Sequence, residues 1–583
     1  MKPWRKDLPR LPYFILVYNH AMSIRYGIRE SIAHALDSVG ITISASDVSL
    51  EHPADLKNGD YSTGVALQYA KQTGKQPREL AEEIAEQLRS STSLGSTSIQ
   101  RIEVAGAGFA NFFLAPSELS RSIEDAQKDG WGKNELNKSK KVMVEYTDPN
   151  PFKEFHIGHL MSNAIGESIA RLLQFSGAEV QRANYQGDVG PHVAKAIWGL
   201  KKLGLDASDV GALGKAYAAG ASAYEEDEKV RAEIDAINAK IYDRSDNEIN
   251  KLYEAGRKAS LEHFEEIYKV LGTKFDRYFF ESETAPKGIE VVRAHPDVFV
   301  ESEGAIVYHG PHTRVFLTAK GLPTYETKEL GLALMKAKEW PFDQSITVTA
   351  HEQSGYFEVV LDAMKKVLPE LAPKIKHISH GMMRLASGKM SSRTGDVITG
   401  ESLLYELAEA AKERAKESRA EDSEKLSQDI AVGAIKYQIL KQASGKDIIF
   451  DRERALSLEG DSGPYLQYAH ARAHGVVEKA NSQGLTLGIP KGQTLEISES
   501  AHNLARLLHR FPEAVEYAAR ELEPHLLTNY LLAFASAFNR WYANEQILDG
   551  TPAVAHKVAL TDAVRATLKN GLSLLGIPAP EKM

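Results

Sequence analysis

The sequence predicts a multidomain α/β protein, in which a parallel-sheet domain stands between an α+β N-terminal domain and an all-α C-terminal bundle. Three observations lead to this prediction. The chain has 583 residues, which is more than one hydrophobic core normally supports. Residues 140 to 186 read as strand, loop, helix and strand, at the length of a βαβ unit. From about residue 405 the apolar pattern is helical almost throughout.

Composition and charge narrow the class of protein further. The chain is 43% hydrophobic and 26% charged, as globular proteins are. The formal net charge of −9 means that a nucleic-acid partner would be held by local basic patches. The absence of cysteine excludes disulfides and cysteine-ligated metal sites. No apolar run has membrane-spanning length, and the run YFILVY is too short for a secretory signal. We therefore expect a cytoplasmic protein with no membrane partner.

The N-terminal part reads as a small α+β domain that follows a short arm. MSIRYGIRESIAHALDSVG has helical periodicity, and ITISASDVSLEHP alternates like a strand. The turn TGKQP then separates two helices, and IQRIEVAGAGFANFFLA reads as strands around a glycine-rich turn. We place the arm at residues 1–21, this domain at 22–115 and a helical connector at 116–139.

The central part, residues 140–400, carries the pattern of a nucleotide-binding sheet of the Rossmann type. The strand KKVMVEYTD runs into the loop DPNPFKEF, and a helix follows from about His156 to Phe175. A charged helical insertion is expected at about 200–272, before strands return at AIVYHG, TRVFLTA and QSITVTA. We assign residues 401–454 to a helical stem and 455–583 to the C-terminal helical domain.

The start of the first helix of the central domain is a candidate phosphate site. His156 and His159 are three residues apart and share one face of the first turn, where unpaired N–H groups suit an anion. Gly158 between them lacks a side chain, so a flat base could lie on the backbone there. Asn150 and Lys153 add a polar and a cationic group at the strand's carboxyl end, where such sheets bind ligands.

A second motif lies far downstream, in GMMRLASGKMSSRTGDVITG. Small residues make this segment flexible, and its cation and hydroxyl groups can follow a phosphate. The residues concerned are Gly388, Lys389, Met390, Ser391 and Ser392. Each motif alone is weak, because an HxGH tetrapeptide or a glycine-serine turn is more often incidental than functional. Together, in this order, they favour a site for a triphosphate.

The paired motifs and their surroundings resemble those of a known family. HIGH followed by a KMSKS-type loop is the signature of class I aminoacyl-tRNA synthetases. VEYTDPNPFKEFHIGHL, TYETKELGLAL, GKMSSRTGD, GDSGPYLQYAHARAH and FASAFNRWYA resemble the arginyl-tRNA synthetases specifically. HPADLKNGDYSTGVALQYAKQTGKQPRELAEEIAEQL resembles that family's additional N-terminal domain. The resemblance covers roughly residues 22 to 583 and implies ATP-dependent activation of L-arginine and its transfer to the 3′ end of tRNA(Arg).

The resemblance also implies a role for particular residues. His156, His159, Lys389 and Lys153 would be catalytic, with ATP bound by the two histidines, Gly158, Lys389, Met390, Ser391 and Ser392. The arginine pocket would be formed by Glu145, Asn150, His156, Tyr325, Glu329 and Gln353. A guanidinium offers five donors in a planar fork and needs carboxylate and amide acceptors, which this set supplies. Mg²⁺ would arrive with ATP, and no zinc or other bound cofactor is expected.

Three departures from the family pattern bear on these roles. Glu329 stands where the family usually has aspartate, so one more methylene separates its carboxylate from the helix. YQGDVGPH lacks the tryptophan that commonly follows the aspartate. Ser392 replaces the second lysine of KMSKS, and in many members of the family a lysine before HIGH is thought to stand in. Lys153 occupies that place here.

Residues 455–583 resemble the family's anticodon-binding bundle, and we expect the chain to act as a monomer. Local cations and aromatic rings there could bind single-stranded RNA, although the aromatic rings could equally form the bundle's core. The residues are Lys441, Lys446, Arg472, Arg506, Arg510, Arg540 and Lys557, with Tyr465, Tyr468, Trp541 and Tyr542. Two alternatives remain at this point: another class I synthetase or nucleotidylyltransferase, which would share HIGH, and a non-catalytic paralogue that binds RNA.

Overall fold

A computed structural model describes residues 20–90, 98–386, 399–416, 422–485 and 497–583. The chain divides into two compact units. The first contains the described residues of 1–136, 476–516 and 536–567, and the second those of 137–475, 517–535 and 568–583. None of the helices in these described ranges combines the length and apolar character needed to cross a membrane.

The N-terminal part of the first unit is a three-stranded antiparallel sheet in the order β1-β3-β2, packed against helices. Its elements are α1 (His20–Ser38), β1 (Tyr61–Thr63), α2 (Val65–Thr73), α3 (Pro77–Ser90), β2 (Ile99–Ala105), β3 (Phe109–Leu114) and α4 (Pro116–Ala126). The strand predicted in ITISASDVSLEHP is wrong. Ser44 caps a 3-10 turn at Ala45–Asp47, and pairing is limited to a bridge between Glu51 and Ser62. The alternation there reflects a turn held by hydroxyl groups, which compete with strand pairing.

The second unit is built on a five-stranded sheet in the order β11-β10-β4-β5-β6, in which all neighbours are parallel. Its strands and the helices between them are β4 (Lys141–Glu145), α5 (Ile157–Phe175), β5 (Glu179–Gln186), β6 (Arg277–Phe280), α10 (Glu281–Ala294), α11 (Tyr325–Glu339), β10 (Gln344–Ala350), α12 (Ser354–Val367) and β11 (Ile375–His380). The chain order reverses between β4 and β10. This is the switch point at which open parallel sheets bind ligands, beyond the strands' carboxyl ends.

Two insertions interrupt the sheet. The first is helical, with α6 (Pro191–Leu203), α7 (Val210–Glu226), α8 (Glu228–Asp243) and α9 (Asn247–Leu271). These helices share a buried apolar cluster to which Phe152, from outside the insertion, also belongs. The second is an antiparallel sheet of β7 (Phe299–Ser302), β8 (Ala305–His309) and β9 (Thr313–Leu317). The predicted helical insertion is thus present, and it begins at Pro191.

The rest of the chain is mainly helical, as its periodicity predicts. A short parallel pair joins β12 (Met383–Leu385) to β13 (Ile448–Phe450). The helices are α13 (Gly400–Lys416), α14 (Ser423–Leu440), α15 (Arg452–Ala455), α16 (Gly463–Ser482), α17 (Glu499–His509), α18 (Phe511–Glu521), α19 (Pro524–Asn544) and α20 (Val554–Leu574).

Candidate active site

The loop that joins β4 to α5 is held in an unusual backbone conformation. Thr147, Asp148 and Phe152 have φ values of 80°, 47° and 67°, in the left-handed region that residues other than glycine rarely adopt. Asp148 Oδ1 accepts a hydrogen bond of 2.7 Å from the backbone N–H of Tyr185. The backbone N–H of Phe152 donates to Ser260 Oγ on α9 at 3.0 Å. Conformations of this kind persist where their surroundings fix them, and here α9 and β5 do so.

His156 and His159 lie together at the N-terminus of α5. His156 is the extended residue before the helix, and its ring stacks on that of His159 with 3.5 Å between centroids. The backbone N–H of His156 donates to His159 Nδ1 at 3.1 Å, which leaves the ring hydrogen of neutral His159 on Nε2. A Cβ at Gly158 would lie 3.0 Å from two ring atoms of His156, so a side chain at position 158 would crowd that ring.

Both histidines are neutral at pH 7 in the free protein. Desolvation, followed by the charge of Lys153, lowers the pKa of His156 to about 4. Desolvation, followed by the neighbouring His156 and Lys153, lowers the pKa of the buried His159 well below its usual range. Neutral imidazoles still donate an N–H, so the pair can hydrogen-bond phosphate oxygens next to the helix N-terminus.

Lys153 lies on the same side of the sheet, in the loop before α5. Its side chain is half-buried, and its ammonium stands 5.0 Å from the centre of the Tyr217 ring on α7. Because its charge lowers the pKa of both histidines, its ammonium is within electrostatic reach of the place where phosphate would bind.

The second motif, Gly388, Lys389, Met390, Ser391 and Ser392, lies outside the described residues. Its described flanks lie close to α5. On the near side β12 contacts α5, and on the far side Thr399 forms a backbone bridge with His156. The next residue, Gly400, donates its backbone N–H to the carbonyl of Phe155 at 2.7 Å. The two described flanks of the second motif therefore lie beside the HIGH motif.

A pair of buried carboxylates lies at the switch point of the sheet. Glu145 ends β4 and Glu329 lies on α11, with exposed fractions of 1% and 7%. Glu145 Oε2 is 2.5 Å from the ammonium of Lys336, and Tyr356 donates its hydroxyl to Glu329 Oε2 at 3.3 Å. Burial, followed by the charge of Glu145, raises the pKa of Glu329 to about 7. Two carboxylates share this enclosed space with one lysine, which suits a cationic ligand.

The other predicted arginine-pocket residues follow strands of the sheet or begin α11. Asn150 follows β4, and its Oδ1 would be only 2.2 Å from a Cβ at Gly187, so the amide packs directly on that backbone. Tyr325 begins α11 with an exposed ring, and its carbonyl accepts a hydrogen bond of 3.1 Å from the Tyr356 hydroxyl. Gln353 is exposed in the turn after β10. The structure thus arranges the set along the carboxyl edges of β4, β5 and β10.

Sequence reasoning missed three buried charged groups near this edge. Lys336 is one. Glu281 is another, and its Oε2 lies 2.5 Å from the Lys328 ammonium, with both side chains about 5% exposed. The third is Asp188, fully buried and bonded to Arg257, Tyr253 and Ser282. Its neighbour Val189, where the family's tryptophan is missing, is 2% exposed in the core of the helical insertion. Asp188 could have been found as a charged residue directly after the predicted strand that ends at residue 186. Glu281 could not, because it follows β6, which the sequence pattern did not predict.

No group of three or more histidine, aspartate or glutamate side chains positioned to hold a metal ion is found in the described ranges. The parallel sheet with paired histidines at its first helix, together with the second motif in the sequence, is the arrangement of a class I aminoacyl-tRNA synthetase. Comparison with family models agrees: residues 123–452 match the catalytic domain of class I (R) tRNA synthetases, 27–114 the arginyl-tRNA synthetase N-terminal domain, and 466–583 the DALR anticodon-binding domain. The chain belongs to the arginyl-tRNA synthetase family.

Individual relatives support this assignment. The arginine–tRNA ligase of Treponema denticola is 30% identical over 569 residues, with 93% of this chain and 96% of the relative covered. That of Clostridium perfringens is 31% identical, with 94% and 98% covered. Among solved structures, the arginyl-tRNA synthetase of Thermus thermophilus superposes with a TM-score of 0.75 at 26% identity, over 96% of this chain and 99% of that one.

Proposed function

We propose that the chain activates L-arginine with ATP and transfers the arginyl group to the 3′ end of tRNA(Arg), with the site residues acting as follows. The observation that supports this proposal is the buried carboxylate pair at the switch point of the sheet. Glu145 ends the strand that leads into the HIGH helix, and Glu329 lies on α11. An amino acid whose cationic side chain lay between these carboxylates would have its own carboxylate free to reach ATP at the helix N-terminus.

At the arginine end, Glu329 and Glu145 accept hydrogen bonds from the guanidinium. Asn150, Gln353 and His156 supply further polar contacts, and the exposed Tyr325 ring stacks on the ligand. A planar guanidinium fills such a fork, whereas a lysine ammonium leaves acceptors unpaired in a buried pocket. The pocket therefore selects arginine over lysine.

At the ATP end, the reaction is an in-line displacement. The arginine carboxylate attacks the α-phosphorus, the bond to the β-phosphate oxygen breaks, and pyrophosphate leaves. The rings of His156 and His159 donate hydrogen bonds to the phosphates, Gly158 leaves room for the nucleotide, and Lys153 supplies a fixed positive charge. Lys389, Met390, Ser391 and Ser392 of the second motif bind the phosphates. Positioning and placed charge supply the catalysis, and no protein nucleophile is needed. Mg²⁺ binds through the triphosphate and offsets its charge.

The second step attaches the arginyl group to RNA. A ribose hydroxyl at the tRNA 3′ end attacks the carbonyl carbon of the adenylate, and AMP leaves. We assign tRNA(Arg) binding to the regions that match the N-terminal and anticodon-binding family domains. We further propose that the chain works as a cytoplasmic monomer.

An aminoacylation assay with all twenty amino acids and ATP tests the function. Charging of tRNA by arginine alone supports it, and charging by another amino acid would point to a different class I synthetase. No charging by any amino acid would favour the RNA-binding paralogue.

The variant Glu329→Gln tests the arginine pocket. It should raise the KM for arginine far more than that for ATP, because it removes charge only at the guanidinium end. Equal effects on both KM values would place Glu329 outside the pocket.

A further inference from the structure

Three buried glutamates lie around the proposed arginine pocket, and two of them form an ion pair with a lysine. Glu281 has its own cation in Lys328, and the two side chains are about 5% exposed and 2.5 Å apart. Glu145 has Lys336, also at 2.5 Å, with side chains 2% and 4% exposed. Glu329 is 7% exposed and has only the Tyr356 hydroxyl as a hydrogen-bond donor among the described residues. Of the three buried carboxylates, Glu329 is the one without a lysine of its own.

Lys336 and Glu329 lie on the same side of α11. They are seven residues apart, close to two helical turns, so both side chains face the carboxyl end of β4. The ion pair with Lys336 does not use up the Glu145 carboxylate, because a carboxylate has about four lone-pair sites and the ammonium of Lys336 approaches only Oε2. A guanidinium could therefore donate to Glu145 while Lys336 still balances its charge.

We propose that Lys336 is a positioning residue for arginine recognition: it neutralises Glu145 and so leaves Glu329 as the single uncompensated negative charge that the guanidinium meets. The inference rests on the proposed function of this pocket. Among Glu145, Glu281 and Glu329, two carboxylates are balanced by two lysines, so the third leaves this set with a net charge of −1. One guanidinium makes it neutral, as burial of charge requires.

The consequence is a pH dependence of arginine binding that Lys336 controls. Arginine binds the ionised form of Glu329, so the KM for arginine should rise as pH falls through the pKa of Glu329, which lies at about 7. Six titratable groups interact with Glu329 from the neighbouring elements. They are Glu145 of β4, Asp148 of the following loop, Tyr185 of β5, Glu281 of α10, Lys336 of α11 and Tyr356 of α12. Of these, Lys336 and the Tyr356 hydroxyl stabilise the ionised form, whereas the charges of Glu145 and Glu281 oppose it.

The test measures the KM for arginine in tRNA charging between pH 6 and 8.5. For Lys336→Met the midpoint of the pH profile should move up by about 1–3 units, the range that a nearby opposite charge controls. At pH 7 this is a rise in the KM for arginine of about fivefold or more, with the KM for tRNA unchanged. Lys336→Arg should keep the midpoint near that of the parent protein. Lys338→Met, at an exposed position on the same helix, is the matched control and should have no effect.

The double variant Glu145→Gln with Lys336→Met separates charge balance from packing. It removes one charge of each sign, so the pocket returns to −1 and the midpoint should return to the parent's value even if the KM itself stays higher. If Lys336→Met does not fold, this double variant and Lys336→Arg carry the test. The inference would be overturned if the KM of Lys336→Met for arginine were unchanged, or if it rose by the same factor at every pH. It would also be overturned if the midpoint of the double variant stayed raised. A parent protein that does not charge arginine would instead overturn the proposed function.

Discussion

The two histidines at the start of α5 show how burial and a nearby charge set the protonation state of a side chain. His156 and His159 are neutral because protein replaces water around them and Lys153 adds positive charge nearby. The pair itself was predictable, since both residues lie within one helical turn of the sequence. Lys336 was not, because its partner Glu145 comes from a different part of the chain and meets it only in the folded sheet.

The change Lys153→Ala tests the proposed role of that lysine. Loss of a charge contact that strengthens in the transition state costs roughly 3–4 kcal/mol, or about a hundred- to a thousandfold in rate. We expect that loss in pyrophosphate exchange with ATP and arginine, measured in the presence of tRNA(Arg), with tRNA affinity unchanged. In the free protein the ammonium stands 5.0 Å from the centre of the Tyr217 ring.

A second substitution distinguishes the effect of the Lys153 charge from that of its packing contacts. Adding Ser392→Lys to Lys153→Ala should restore part of the activity, because a cation returns on the opposite side of the triphosphate. Lys258→Ala removes an exposed lysine of α9 and serves as the control. Near-normal exchange in Lys153→Ala would show that this lysine is a surface residue.

At the scale of elements, the helical insertion also packs against the loop that joins β4 to α5. Phe152 of the catalytic loop is fully buried in the insertion's core and stacks on Tyr253 of α9 with 6.3 Å between centroids. The sequence predicted the insertion and the loop separately, because each has a local signature. Their contact was not predictable, since an apolar residue in a loop does not reveal which distant helix will cover it.

The substitution Gly256→Ala tests whether α9 holds the catalytic loop in place. A Cβ at position 256 would lie 2.3 Å from the Phe152 ring, so the ring or the helix must shift. Overpacking of this kind costs about 1–3 kcal/mol, against the roughly 0.5–1 kcal/mol that alanine gains over glycine within a helix. We expect lower stability and reduced arginine activation, measured by urea unfolding and pyrophosphate exchange.

Gly475→Ala in α16 is the matched control for that experiment. It makes the same exchange at a helical glycine with no heavy atom within 4 Å of the added Cβ, so it should be neutral or slightly stabilising. If Gly256→Ala behaved in the same way, the loop would not depend on its contact with α9.

At the scale of the whole molecule, long-range ion pairs decide which cations remain available. Arg506 was predicted as a local cation for RNA, but it is 8% exposed and its Nε lies 2.5 Å from Asp60 Oδ1. Lys557 pairs with Glu545 and Asp549, and Trp541 is fully buried. The fold class and its helical C-terminal part followed from periodicity and motif order. The pairing of Arg506 was not predictable, because its partner Asp60 comes from a distant part of the sequence. The partners of Lys557 are near in the sequence, but helical periodicity alone does not show that they meet.

Glu513 of α18 gives the first unit a testable pH dependence. It accepts a hydrogen bond of 2.5 Å from the Tyr61 hydroxyl, and it pairs with Arg25 and His52 at 3.3 Å each. Burial alone would raise the pKa of Glu513, but the effects of His52 and Arg25 are larger and lower it to about 2. A carboxyl with a lowered pKa stabilises the fold above its unfolded pKa, and this contribution is lost as pH falls through the folded value.

Glu513→Gln should therefore cost about 1–3 kcal/mol of unfolding free energy at pH 7. The difference from the parent protein should be constant above pH 5 and narrow between pH 4.5 and pH 2. Urea unfolding followed by circular dichroism across this range measures it. Glu521→Gln, at an exposed position on the same helix, is the control. A difference that stayed the same down to the lowest accessible pH would mean that the cost comes from packing and not from charge.

The dependence of arginine activation on tRNA belongs to the whole molecule, because tRNA takes no chemical part in adenylate formation. It can change the rate of that step only by binding one conformation of the protein better than another. We expect pyrophosphate exchange with ATP and arginine to be near background without tRNA and to appear when tRNA(Arg) is added. The effect should weaken steeply with salt, since phosphate contacts release counterions, and a tRNA of another specificity serves as the control. Strong exchange with ATP and arginine alone would show that the activating conformation is already populated in the free protein.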